Sequence, residues 1–193
     1  SIDGNAGADV IVGGAGNDTF IYADLAEMMT GTAFVDSVNG GADTDTMQFS
    51  VSGAVAGVTL ANGDSWSRVS NTEVLKTTDA TDQAISLTLA ASASTSGITT
   101  VDISSDTNVT GANVIDASNM TSAVTITGGS GVETITGTAS ADTITGGAGA
   151  DVINGGTGDD TYVFSASADG TDQIVWDAGA TGDIFNFAAF FGS

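Results

Sequence analysis

Gly128-Gly-Ser-Gly-Val-Glu-Thr-Ile-Thr136, Gly137-Thr-Ala-Ser-Ala-Asp-Thr-Ile-Thr145, Gly146-Gly-Ala-Gly-Ala-Asp-Val-Ile-Asn154 and Gly155-Gly-Thr-Gly-Asp-Asp-Thr-Tyr-Val163 follow one another without a gap. Each nine-residue unit puts glycine first, an acid sixth (Glu133, Asp142, Asp151, Asp160) and a large apolar residue eighth (Ile135, Ile144, Ile153, Tyr162). The glycine-rich half bends the chain through positive φ and leaves its carbonyls free. The β-branched half predicts a short strand whose eighth residue points inward. A fixed short period of this kind marks a chain wound into coils that stack on one another.

Working outward, two more units open the chain: Gly4-Asn-Ala-Gly-Ala-Asp-Val-Ile-Val12 and Gly13-Gly-Ala-Gly-Asn-Asp-Thr-Phe-Ile21. Their acids are Asp9 and Asp18, and their inward residues Ile11 and Phe20. They match the units at Gly146 and Gly155 with one constant offset, 146 − 4 = 142 and 155 − 13 = 142. The likeness continues into the run Asp36 to Phe49 in the first copy and Asp172 to Phe187 in the second. Gly40 to Gln48 is a degraded unit with Asp43 at the fourth position and Asp45 at the sixth. For Asp43, an extra ligand and a solvated turn acid both stand open.

A carboxylate at the end of every glycine turn, repeated coil on coil, makes all-oxygen sites of the kind calcium takes. With its Gly-Gly-x-Gly-x-Asp-x-(large apolar)-x pattern, the chain resembles the RTX family of secreted bacterial proteins, the hemolysin-type calcium-binding repeats. The resemblance implies a parallel β-roll in which nine residues make half a coil, so that units two apart stack on the same edge. Gly128–Glu133 would then face Gly146–Asp151, and Gly137–Asp142 would face Gly155–Asp160, each pair enclosing one Ca²⁺. The family pattern further implies that the sixth-position acids Asp9, Asp18, Glu133, Asp142, Asp151 and Asp160 are ligands. Turn carbonyls join them, including those of Gly128, Ser130, Gly137, Ala139, Gly146, Ala148, Gly155 and Thr157. By analogy with roll termini, Asp172 and Asp177 close the second module, and Asp36 and Asp45 the first.

Two departures stand out: Glu133 replaces the usual aspartate, and Thr138 and Ser140 replace turn glycines. Without an ion, carboxylates at 4 Å would repel by about 4 kcal/mol per pair at protein-surface dielectric. Metal binding is therefore expected to be coupled to folding.

Composition narrows the remaining classes. The 193 residues carry 24 acids against two cations, Arg68 and Lys76, for a net charge of −22. Such a chain repels nucleic acid and anionic lipid, so neither is an expected partner. Disorder is argued against by 41% hydrophobic residues set in regular Ile/Val/Thr strands. There is no cysteine, which removes disulfides and thiolate metal sites, and no histidine, which removes the common hydrolytic constellations. Gly63-Asp-Ser-Trp-Ser has the look of a nucleophile turn but no base to serve it, so the chain is read as no enzyme. No window is apolar enough for a membrane helix. The chain starts at Ser1 and reads as a fragment or processed product.

Between the modules the glycine pattern fades while strands persist, with candidates at 58–60, 73–76, 85–89, 99–104, 113–116 and 124–127. Leu25 to Met29 reads as a single helical turn, and little else as helix. The organisation is a first β-roll module over 1–49, a looser Thr/Ser/Ala-rich solenoid over 50–127, and a second module with its cap over 128–193. The stretches 69–75 and 98–104 resemble the solenoid of bacterial surface-layer proteins that bear RTX repeats. The run Ile184 to Phe191 is expected to plug the last coil.

The fold class is thus all-β, a right-handed parallel β-solenoid with calcium β-rolls. The expected function is that of an extracellular or cell-surface structural protein, a surface-layer, filament or adhesin segment that folds and self-assembles on binding Ca²⁺. The alternative is the non-catalytic calcium module of a secreted enzyme or toxin. A third reading is a glycan-binding adhesin using Trp66 and Trp176 as stacking platforms.

Overall fold

The computed structural model describes residues 1–23, 25–30, 33–50, 58–60, 65–78, 84–107, 109, 111–164, 170–176 and 182–187. Among these, nearly every strand pairs in parallel with its counterpart one coil away. The longest sheet has eight strands, running in spatial order from Thr19–Tyr22 through Thr46–Ser50, Val74–Thr78, Thr100–Asp102, Thr125–Thr127, Thr143–Thr145 and Thr161–Val163 to Ile184–Asn186. Opposite it, six strands run from Val58–Leu60 through Ile85–Thr88, Ala112–Asp116, Val132–Thr136 and Val152–Asn154 to Gln173–Ile174. A three-stranded sheet joins Val10–Ala15, Ser37–Ala42 and Val69–Ser70. This is a parallel β-solenoid.

The register explains why the eighth residue of each unit is large and apolar. Ile126, Ile144, Tyr162 and Phe185 are direct partners down the eight-stranded sheet. Leu87, Ile115, Ile135 and Ile153 are partners down the six-stranded one. Three-residue strands such as Thr143-Ile-Thr145 bury only their middle side chain, so each coil adds one rung to either column. Removing one rung, as in Ile144→Ala, should cost about 2–5 kcal/mol. Spacing between stacked units is 18 residues in the second module, as the half-coil reading requires. In the first it widens to 27, because the helix Leu25–Met28 and the antiparallel pair Met29–Thr30/Ala33–Phe34 lie between the stacked units.

The middle strands fall close to their expected positions, at Val58–Leu60, Val74–Thr78, Ile85–Thr88, Thr100–Asp102, Ala112–Asp116 and Thr125–Thr127. Three expectations are corrected. A second helix, Ala91–Ser96, interrupts the solenoid where only strands were expected. Its alanines favour helix, and Gly97 ends it in the left-handed region at φ 109°, its N–H returning to Ala93 and Ser94 carbonyls. Within the described residues, the segment from Ile184 forms a further rung and not a plug: Ile184–Asn186 pairs at the end of the eight-stranded sheet, with Phe185 stacked 5.3 Å from Tyr162. Residues 188–191 of that run lie outside the described residues. Trp66 is no surface platform either, being 1% exposed and packed 4.7 Å from Phe34, whereas Trp176 is 65% exposed.

Candidate metal centre

Each sixth-position acid stands where its glycine turn ends and its strand begins. From there the carboxylates of Asp151, Asp160, Asp36 and Asp45 reach back one coil. Asp151 Oδ1 accepts the Glu133 N–H at 2.8 Å, and Asp160 Oδ1 accepts the Asp142 N–H at 2.8 Å. In the first module, Asp36 accepts from Asp9 at 2.9 Å and Asp45 from Asp18 at 2.8 Å. The columns continue below with Asp172, which accepts the Asp151 N–H, and Asp183, which accepts the Asp160 N–H, both at 3.0 Å. One oxygen of each acid is thus committed to a backbone amide that would otherwise lie buried and unpaired.

The other oxygen turns toward the glycine turn. A methyl group added at Gly13 would stand 2.7 Å from Asp18 Oδ2 and overlap the Gly40 carbonyl oxygen of the next coil. At Gly128 it would stand 3.1 Å from Glu133 Oε2 and overlap the Gly146 carbonyl oxygen. At Gly13, Gly40, Gly128 and Gly137 the first position is therefore where the turn's own carboxylate and the next coil's carbonyl converge. Asp9 Oδ2 and Asp45 Oδ2 are buried with no hydrogen-bond donor. A buried acceptor left so costs about 1–3 kcal/mol, and more when charged. Among the described residues, no three acidic side chains group as metal ligands. What converges at these turns is instead a carboxylate oxygen and a turn carbonyl oxygen, both hard donors of the kind that fits calcium.

Backbone conformation divides the turns into two kinds. The second and fourth positions are left-handed at Asn5 and Gly7, Gly14 and Gly16, Gly41 and Asp43, Gly147 and Gly149, and Gly156 and Gly158. In the units at Gly128 and Gly137 neither position is. In the Gly137 unit, Thr138 donates to Asp142 through its N–H at 2.5 Å and its hydroxyl at 3.0 Å, while Val124 N–H donates at 2.8 Å. Asp142 thus has protein donors where Asp9 and Asp45 leave one oxygen open. Burial raises its carboxyl above the ordinary range, against these hydrogen bonds. Burial also pushes Glu133 up to about 7, opposed by the Asn113 amide and assisted by the charges of Asp151 and Asp106.

Asp43 adopts the glycine-like φ of 78°, and its Oδ2 accepts the Gly16 N–H at 3.0 Å, tying two turns together. Asp177 lies outside the described residues. Three column members escaped the sequence reading: Asp183, Asn113, which accepts the Ile85 N–H at 2.9 Å, and Glu73, which accepts the Asp45 N–H at 2.8 Å. The signal was present as a polar acceptor two residues before an inward apolar one, in Asp183-Ile-Phe, Asn113-Val-Ile and Glu73-Val-Leu.

A family model described as the RTX calcium-binding nonapeptide repeat matches the chain in four copies, over residues 1–20, 23–49 and 127–162. No curated protein and no solved structure matches it. The matched segments contain the buried acids Asp36, Asp45, Glu133, Asp142, Asp151 and Asp160, together with the glycine turns they face. These segments of the chain are RTX calcium-binding nonapeptide repeats, Ca²⁺-binding structural modules folded as a parallel β-roll.

Proposed function

We propose that this chain is an extracellular, calcium-stabilised structural segment of a surface-layer, filament or adhesin-type protein, which folds and assembles when it meets external calcium. Two roll modules, over 1–49 and 128–193, flank the looser solenoid over 50–127. The ions lie between stacked turns. Asp18 and Asp45, Glu133 and Asp151, and Asp142 and Asp160 face one another across successive coils, with Asp9 and Asp36 forming a further pair and Asp172 following Asp151. Turn carbonyls such as those of Gly128, Ser130, Gly137, Ala139, Gly146, Ala148, Gly155 and Thr157 complete the shells.

The observation that carries this reading is the buried carboxylate oxygen without a donor, repeated at Asp9 and Asp45. With a net charge of −22, a chain that buries acids in columns is opposed by its own charge until cations intervene. In low cytosolic calcium the repeats stay open. RTX repeats are typical of proteins exported by one-step secretion, and outside the cell even sites with Kd of about 10⁻⁴–10⁻³ M fill and order the chain.

Calcium titration followed together by circular dichroism and light scattering tests the proposal. Strand signal and scattering should both rise with calcium and fall on chelation. A chain fully structured in excess chelator would overturn the coupling. Folding without assembly would favour the calcium module of a secreted enzyme or toxin instead.

A further inference from the structure

We propose that one calcium site of the first module is completed by Asn71 and Glu73, on a coil that lies outside the nonapeptide repeat. The inference rests on the calcium reading above and extends it to residues beyond the matched segments, which end at 49 and resume at 127.

The geometry at Gly40 carries it. A methyl group added there would overlap both Asp45 Oδ2 and the Asn71 carbonyl oxygen. Gly13 shows the same convergence, with Asp18 Oδ2 and the Gly40 carbonyl in those two places. The Asn71 carbonyl therefore occupies, beneath the Gly40 turn, the place that a first glycine occupies beneath a repeat turn. Glu73 supplies the second correspondence. Its Oε2 accepts the Asp45 N–H at 2.8 Å, as Asp45 Oδ1 accepts the Asp18 N–H at 2.8 Å one coil earlier.

Two further observations fit a ligand there. Asp45 is 0% exposed, and its Oδ2, aimed at this point, meets no hydrogen-bond donor. Asn71 holds φ at 49°, a conformation that asparagine tolerates better than most residues and that glycine takes in the repeat turns. Its side-chain amide donates to Asn39 Oδ1 at 2.9 Å, which fixes this turn against the coil above. The Asp45 carboxylate and the Asn71 carbonyl converge at this point, and Glu73 brings a second carboxylate to the Asp45 backbone beside it, a hard-oxygen set whose remaining places are open to turn carbonyls and water. Asn71 and Glu73 are two positions apart, against five for Gly146 and Asp151, and the longer glutamate arm spans the difference.

The test is the number of calcium ions bound by the full chain, measured by equilibrium dialysis, in wild type and in Glu73→Gln. The glutamine retains an oxygen for the Asp45 N–H and removes the charge. One ion should be lost, or the affinity of one site should fall by at least about tenfold. Glu73→Asp, which keeps the charge on a shorter arm, should fall between the two. A variant-free measurement stands beside these: in the wild-type chain, backbone amide resonances of residues 71–73 should shift at the same calcium concentration as that of Asp45. Unchanged stoichiometry and affinity in Glu73→Gln, or silent amides at 71–73, would overturn this inference and leave the repeat sites standing. A wild-type chain that binds no calcium would overturn both.

Discussion

The backbone N–H of Glu133 donates to Asp151 Oδ1 across 2.8 Å, joining residues 18 apart in the chain and one coil apart in space. The same carboxylate therefore has two tasks, an amide on one side and the glycine turn on the other. Substitutions can separate them.

Asp151→Asn keeps an oxygen for the Glu133 N–H and loses the negative charge. Its calcium requirement should rise by about tenfold or more while the folded state at saturating calcium remains. Asp151→Ala loses both, and the buried amide left behind costs about 1–3 kcal/mol further. Urea denaturation at saturating calcium should rank wild type above Asp151→Asn and Asp151→Ala last. Equal stability of the two variants would remove the amide's share of the argument.

A pH dependence follows from Glu133, whose carboxyl burial raises to about 7 from an ordinary 4.5. Between those values the folded, calcium-free chain holds a proton that the unfolded chain has released, so stability falls as pH rises through the window. In chelator, residual strand signal should be greater at pH 5.5 than at 7.5. Glu133→Gln should flatten that difference. With calcium present the order reverses, because proton and cation compete for the same oxygens. Circular dichroism at both pH values, with and without calcium, checks the pair of signs.

Gly149 holds φ at 128°, and a methyl group on it would overlap the Gly131 carbonyl oxygen of the coil above. Gly149→Ala therefore meets both backbone strain, about 1–3 kcal/mol, and a collision with main chain that cannot swing aside. Calcium-driven folding should need markedly more calcium than in wild type. Ala148→Gly in the same turn is the control and should shift the midpoint little.

Much of this architecture was legible because one short period carried two signals at once. An acid at the sixth position and Ile144 or Tyr162 at the eighth fix both the column of carboxylates and the column of core residues. The signal was lost where coils lengthen. Asp183 follows Asp160 by 23 residues and Glu73 follows Asp45 by 28, so a search at the repeat spacing passes over them. The helix Ala91–Ser96 hid for another reason: its Ala/Ser/Thr composition matches that of the surrounding strands, and only the left-handed Gly97 closing it breaks the pattern. Trp66 was misjudged because one sequence cannot tell an aromatic on a loop surface from one folded under it against Phe34.

Thr138 offers the most direct test of what the ion does. Its N–H and hydroxyl donate to the two oxygens of Asp142, and the hydroxyl in turn accepts the Ser140 N–H at 3.0 Å. Protein donors here compete with a cation for the carboxylate. Stacked beneath it, Gly156 and Gly158 keep the left-handed turn that Thr138 and Ser140 have given up. Restoring glycine at both places, Thr138→Gly with Ser140→Gly, lets the turn return to the repeat conformation and releases Asp142. The double variant should bind calcium more tightly at this turn, seen as a further ion or a lower midpoint in equilibrium dialysis. Where calcium is limiting, it should lose about 2 kcal/mol of stability, since a hydrogen bond to a charged group is gone and two glycines add chain entropy. Unaltered calcium binding would mean that the threonine fills no role the ion could take. Tighter binding with the loss of calcium-free stability would show donor and cation to be exchangeable solutions for one buried carboxylate.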